Sequence, residues 1–534
     1  MDPFSITVSF FLLVITIFLW YRWRINKLSL FTKLGIPGPK PSFWTGNLKE
    51  IIEKGINCES EWIEKYGKIV GYFFGTRPIL LIADPELLKI VLVKDFTNFM
   101  NKDVFVPYAG VSTEKMKYAI GLQKDKQWKF IRSVITPSFS SVKLKSMMPI
   151  FNESIEVFLD KISQEESKKS SFDVYPMYKK MVLDIITKNA FGISTNVQLN
   201  DDNIYLKCVL RVLNNGAADI LNFVSLCFPE TEPIPSFLKI TIDKFRSKLG
   251  LPSVTMLVNI CETVIKKRKS DPQSRRPDLL QSLIDSSISK EELSNTKIEE
   301  LEASDDSKEK HSTTDKNKSS KNLQFLTKEE ITANAMVFII AGYDTTSSLL
   351  AFTTHFLVNN QNIQDKVRKE IMDNVDCEKQ LTIENLSKLT YLDQVCSETL
   401  RLFPPLTSFI NRITSKQFYY KNIKIPEGLT LQAPLWQMQR NTEYWDNPEI
   451  FDPERFSPEN KSKINQMMYQ PFGMGPRNCI GIRMAKTIVK LALSHLLYKY
   501  KLLPSEETDS ELNIDPKLFV NYPKNGMKVM AVSC

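Results

Sequence analysis

Residues 3–21 carry no charge, and from Phe4 to Tyr21 the run is almost unbrokenly apolar. A helix of that length spans roughly 28 Å, close to the core of an endoplasmic-reticulum bilayer. Whatever the remainder folds into is therefore expected to hang from one end by a membrane segment. Trp20, Tyr21 and Trp23 follow as interfacial aromatics, and Arg22, Arg24, Lys27 and Lys33 place positive charge on the C-terminal side. The positive-inside rule then predicts a single-pass anchor in the endoplasmic-reticulum membrane with the body in the cytosol. A cleaved signal peptide needs the reverse, charge before the apolar run and small residues after it. The sequons at Asn152, Asn317 and Asn460 should then never reach the lumen. Leu34-Gly35-Ile36-Pro37-Gly38-Pro39-Lys40-Pro41 cannot continue a helix. It reads as part of a basic, proline-rich hinge over 22–41, followed by one body over 42–534.

Several chemistries lack the residues they need. The three histidines, His311, His355 and His495, lie far apart, and no HExxH pattern exists, so zinc hydrolysis has little to build on. A Ser–His–Asp machine is poorly supported for the same reason. The eight cysteines contain no CxxC, which argues against a zinc ribbon or a secreted disulfide scaffold. The net charge of +9, from 70 Lys+Arg against 61 Asp+Glu, is spread along the chain and gives no nucleic-acid footprint.

Within the body, Ile69–Phe74 and Pro78–Ala83 read as a hairpin, and most of the rest as long amphipathic helices. The fold class expected is mainly α with a small β region. Residues 287–327 hold seven Lys against nine Asp+Glu with no apolar period, and read as a disordered loop. Thr327-Lys328-Glu329-Glu330 is a capping box, and apolar residues continue from Ile331 to Leu357. In the middle of that helix stands Ala341-Gly342-Tyr343-Asp344-Thr345-Thr346. The glycine serves either close approach of a flat ligand or helix packing. Thr345 is placed to hydrogen-bond the carbonyl of Ala341. Glu398 and Arg401 share a helix face that ends near Pro404, and Arg455 could join them.

The most informative segment is Phe472-Gly473-Met474-Gly475-Pro476-Arg477-Asn478-Cys479-Ile480-Gly481. It sets a cysteine in a glycine-punctuated loop ahead of a helical pattern from Ile482 to about Tyr500. Backbone N–H groups at a helix start favour an anion, which predicts a lowered pKa and a thiolate at Cys479.

With these motifs in order and at family-like spacing, the chain resembles a cytochrome P-450, a heme-thiolate monooxygenase. The stretches AGYDTTSS and ETLRLFPP further resemble the microsomal, broad-specificity enzymes that act on steroids and drugs. The resemblance implies heme b (iron protoporphyrin IX) as cofactor, with Cys479 as the proximal ligand of its iron and Phe472 packed beneath the porphyrin. It implies Trp128, Arg132, Arg477 and Arg412 at the propionates, and Asp344 and Thr345 as the groups that manage protons during oxygen activation. Glu398, Arg401 and Arg455 become a structural network.

Some positions depart from the family pattern. Gln439 stands where histidine is common and is expected to donate toward the heme; Met484 replaces a frequent phenylalanine. A propionate-binding arginine is not evident near Phe99. Lys124, Lys126, Lys129, Arg132, Lys143 and Lys145 form a basic cluster where the implied partner, NADPH–cytochrome P-450 reductase, would dock, with cytochrome b5 a further candidate donor. The reading is an NADPH- and O2-dependent monooxygenase of small apolar molecules such as steroids, fatty acids or xenobiotics. Its rivals are a reductase-independent peroxide isomerase or dehydratase, and a heme-binding sensor without turnover. Candidate pocket walls lie at 99–120, 221–237, 338–341 and 406–410.

Overall fold

Thr327 Oγ1 accepts from the Glu330 N–H (3.2 Å) while Glu330 Oε2 accepts from the Thr327 N–H (2.8 Å). This expected capping box starts a helix of 32 residues, Lys328–Asn359, about 48 Å long. The computed structural model describes residues 3–103, 114–200, 202–214, 220–303, 323–376, 379, 381–517 and 520–534. The long helix is apolar enough to cross a membrane, but most of its side chains are buried in protein, so it is the shaft of the body. Helices Val174–Ala190, Val254–Ser270, Thr390–Leu402 and Ile482–Lys499 pack around it. A Cβ at Gly342 would lie 2.7 Å from Ile186 Cδ1, so this glycine serves helix packing.

The β content is small and sits to one side. Ile69–Phe74 and Arg77–Ile82 form the expected hairpin, and Thr430–Gln432 pairs parallel to the second of these strands. Asn411–Ile413 completes the four-stranded sheet antiparallel to Thr430–Gln432. A second sheet joins Tyr500–Leu503, Lys528–Ser533 and Phe172–Asp173. The architecture is mainly α with a small β region, as expected.

At the N-terminus the helix spans Pro3–Leu28, seven residues past the expected end of the anchor at 21, and its apolar part is fully exposed. The stretch over 22–41 differs from a free hinge. Arg24, expected at the membrane interface, is fully buried. It donates to Phe43 O (2.6 Å), Trp44 O (2.8 Å) and Cys227 O (2.8 Å), and its charge meets Glu230 Oε1 at 2.6 Å. The guanidinium also lies 4.6 Å from the centre of the Phe228 ring. Downstream, the Gly71 N–H donates to Pro37 O (2.9 Å), and a Cβ on Gly38 would sit 1.9 Å from Gly71 O. The proline-rich segment is thus pinned against the first strand. Periodicity carries no information about such contacts because they are made to residues far away in sequence.

The stretch 287–327 also departs from the expected disordered loop. Ser287–Ser289 pairs antiparallel with Leu323–Phe325, Lys290–Asn295 is helical, and Ile298–Leu301 forms a 3₁₀ turn. Residues 304–322, His311 and Asn317 among them, lie outside the described residues.

The other two histidines are buried, His355 3% and His495 7% exposed, and burial pushes both down to about 4. A histidine with a depressed folded pKa binds its proton preferentially in the unfolded chain, so stability is present above about pH 6.5 and falls as pH drops toward 4. The expected loss is about 3 kcal/mol per histidine by pH 4. Denaturant midpoints from pH 7.5 to 4.5 should show it, and His495→Gln should reduce the slope. An unchanged slope in that variant would exclude His495 as a source.

Candidate active site

The Cys479 loop folds on its own backbone. The Cys479 N–H donates to Phe472 O (2.8 Å) and the Asn478 N–H to Gly475 O (2.9 Å). Gly475 has φ +73°, and a Cβ there would lie 2.0 Å from Leu92 O, so only glycine fits. The helix Ile482–Lys499 follows directly, with Gly481 at its cap. Phe472 is half-buried beside the loop. The thiol itself differs from the sequence expectation of a lowered pKa. Burial pushes Cys479 above its ordinary value, against the pull of the Gly481 N–H, Arg132 and Lys102. Desolvation of the anion outweighs a few dipoles and cations unless a positive centre sits at the sulfur itself.

Around this loop four basic side chains converge. Trp128 and Arg132 lie on the helix Asp125–Ile135, one turn apart and both buried. The Arg477 guanidinium stands 4.4 Å from the centre of the Trp128 ring and donates to Met100 O (3.0 Å) and Gln123 O (2.6 Å). Arg412, in the strand Asn411–Ile413, is 1% exposed, and its Nε has no hydrogen-bond partner among the described residues. Burial alone holds it down to about 9. Lys102, half-buried, is held well below its ordinary range by burial and by the charges of Arg412 and Arg477. The sequence gives no hint of Lys102, because the residue expected near Phe99 is an arginine. The informative signal is a basic residue of either type a few positions before the Trp128 helix. Buried cations that repel one another, one with an idle donor, are arranged for an anion carrying more than one charge.

The long helix carries the remaining candidate residues. Phe338, Ala341 and Thr345 share one face, and Ala341 is exposed although it stands mid-helix, with Phe338 and Thr345 half-buried. The face therefore borders open space, apolar except for one hydroxyl. Thr345 Oγ1 donates to Ala341 O at 2.6 Å, as its spacing predicted. Asp344 is buried on another face, where Lys179 Nζ lies 3.5 Å from Oδ1. The Lys179 ammonium in turn sits 4.7, 5.6 and 5.4 Å from the ring centres of Tyr175, Tyr343 and Tyr522. Sequence spacing gave no hint of Lys179, because it comes from another helix.

Beneath the site, Glu398 and Arg401 are both fully buried. Arg401 donates to Glu398 Oε2 (2.7 Å) and Oε1 (2.8 Å), to Gln439 O (2.8 Å) and to Pro448 O (2.7 Å). Arg455 Nε lies 3.4 Å from Glu398 Oε1. Gln439, expected to donate toward a cofactor, instead donates to Leu400 O (2.9 Å) and Arg401 O (2.8 Å) and accepts from the Gln470 N–H. The free carbonyls at the end of the Thr390–Leu402 helix claim its amide first.

Two other expected groupings are only partly realised. In the basic cluster, Lys124, Lys126 and Lys143 are exposed, Lys145 pairs with Glu384 at 2.7 Å, and Arg132 is buried inside the site. Of the candidate pocket walls, Phe237 is 67% exposed on the outer side of Pro233–Lys248, and residues 104–113 lie outside the described residues.

A family model described as cytochrome P450 matches residues 36–529. Cytochrome P450 3A28 of Bos taurus is 33% identical over 505 residues, covering 94% of this chain and 92% of that protein. Cytochrome P450 3A18 of Rattus norvegicus is 32% identical over 504 residues, covering 94% and 93%. Cytochrome P450 3A6 of Oryctolagus cuniculus is 33% identical over 516 residues, covering 96% and 95%.

Proposed function

Because the chain belongs to the cytochrome P450 family, we propose that it inserts one oxygen atom from O2 into small apolar molecules such as steroids, fatty acids or xenobiotics, with electrons from NADPH. Membership makes it a heme-binding monooxygenase of the P450 type. Heme supplies the activation of O2. The single observation that carries the residue assignment is the nest of Lys102, Arg132, Arg412 and Arg477 beside Cys479. A flat apolar ring bearing two carboxylates and a thiolate-seeking metal matches that combination of charge and shape. Cys479 is the thiolate ligand in this reading, and a cation at sulfur reverses the effect of burial on its proton. Arg132, Arg412 and Arg477 hold the carboxylates, Lys102 joins them, Trp128 backs Arg477, and Phe472 packs beside the loop.

Thr345 already donates its proton to Ala341 O, which leaves the Oγ1 lone pairs to hold a water on the open face. Asp344, next to Thr345 in sequence and paired with Lys179, is the carboxylate that would exchange protons with that water. In this reading the apolar helix Pro3–Leu28 is the endoplasmic-reticulum membrane anchor, and the basic residues that follow it hold the body in the cytosol. The exposed Lys124 and Lys126, with the half-buried Lys129, offer an acidic NADPH-dependent reductase a docking surface, and cytochrome b5 a second use of it.

Reconstitution with reductase and NADPH, screening steroids, fatty acids and xenobiotics, tests the reading. Substrate-dependent NADPH consumption matched by a hydroxylated product is expected. Thr345→Ala should divert at least half of that NADPH into peroxide. Turnover of an organic peroxide without NADPH, and none with it, would establish the isomerase alternative instead.

A further inference from the structure

The surface beside Cys479 is already occupied by another part of this chain. The stretch after Ser287–Ser289 runs through Lys290–Asn295 and Ile298–Leu301 and ends against the thiolate loop. Arg132 Nε donates to Leu301 O (3.0 Å), and Leu301 is buried. Asn478 makes two bonds to Ala303: its Oδ1 accepts from the Ala303 N–H (3.0 Å), and its Nδ2 donates to Ala303 O (2.6 Å). Glu302 Oε1 accepts from the Gly475 N–H at 2.9 Å. The stretch thus bonds to Gly475 and Asn478 of the loop that carries Cys479 and to Arg132 beside it. From 290 to 303 it holds five glutamates and two lysines. Glu299, Glu300 and Glu302 are exposed, and the stretch lies against the Asp125–Ile135 helix, which carries Lys126 and Lys129.

We propose that residues 290–303 are an intrachain competitor of the electron donor: an acidic strap seated on the face where the reductase docks, which must lift before electrons reach the thiolate side. The inference rests on the docking surface assigned under the proposed function. Two effects oppose the donor while the strap is down. It occupies the ground within one residue of Cys479, and its carboxylates repel an acidic docking surface. Its hold is modest, since its bonds to the Cys479 loop are three and part-buried, and Leu301 is the one buried side chain over 291–303. A strap held this way lifts readily once a partner binds the surface beneath it.

Hydrogen exchange on the full-length holoenzyme in lipid nanodiscs tests this, with and without a reductase that binds but cannot transfer electrons. Competition predicts that the reductase protects amides of 125–135 and deprotects those of 298–303. Protection of both segments would show a donor docked on top of the strap and would overturn the proposal. Leu301→Ala/Glu302→Gln loosens the strap. Its apparent KM for reductase is expected to fall at least threefold, with reduction by dithionite and the ferrous–carbonyl spectrum unchanged. An unchanged or raised KM would also overturn it. If the reductase protects no part of 125–135 in either form, the docking surface itself is wrong, an outcome distinct from failure of the strap.

Discussion

Cys479→Ala is expected to abolish the red-shifted Soret band that a thiolate ligand gives the ferrous carbonyl complex, and with it monooxygenase turnover. The effect should be complete, because no other thiol among the described residues has comparable surroundings. Cys58, Cys261 and Cys396 are buried and pushed up to about 12, with desolvation as the leading cause. Cys479 alone among them has Arg132, Lys102 and a helix-start N–H pulling the other way. Cys396→Ala serves as the control and should keep the band. Persistence of the band in Cys479→Ala would remove the ligand assignment, together with the roles given to its neighbours.

The second large effect concerns stability. Arg401→Ala leaves Glu398 fully buried, with the Arg455 Nε at 3.4 Å as its remaining cation and the Asp452 N–H (3.0 Å) as its remaining donor, and strips donors from Gln439 O and Pro448 O. Breaking a buried ion pair by removing one partner costs about 3–5 kcal/mol. That is a large share of the roughly 5–15 kcal/mol that holds a typical folded protein together. Most of the expressed protein should therefore lack heme or fail to accumulate. Arg401→Lys is expected to recover little, since one ammonium cannot reproduce donors aimed at both carboxylate oxygens and two carbonyls. A shift in denaturant midpoint equivalent to less than 1 kcal/mol for Arg401→Ala would show that the network is dispensable.

The two effects differ in how far their basis was visible before folding. The Cys479 loop could be read from sequence because its requirements are local. Gly475 is demanded by its own backbone angle, and Cys479 is placed by two hydrogen bonds within ten residues. The capping box at Thr327, the Thr345–Ala341 bond and the Glu398–Arg401 pair are legible for the same reason, each closing over three or four residues of one helix. The roles expected of Arg412 and Arg477 come from the resemblance, since spacing alone does not give them.

Where partners lie far apart in the chain, sequence reasoning failed in a consistent way. Gln439 was aimed at the cofactor, but helix-end carbonyls captured its amide. Arg24 looked like an interfacial charge, yet Glu230 and Cys227 enclose it. Residues 287–303 have no apolar period, but Leu301 is buried and Asn478 supplies the polar partners that order Ala303. Cys479 was expected to ionise easily, and the depth of its burial opposes that.

By itself, then, the sequence determined the apolar N-terminal helix, the mainly helical class, the cysteine loop and the capped long helix, because periodicity, caps and glycine angles act over a few residues. Only the tertiary structure decided that the N-terminal helix is clasped to the body through Arg24, that Lys102 joins the arginines, that Asp344 faces Lys179 and that the acidic stretch lies against the Cys479 loop. Those outcomes depend on which buried charges and idle hydrogen-bonding groups meet across hundreds of residues, and the cost of leaving such a group unpaired is fixed only when the chain has closed around it.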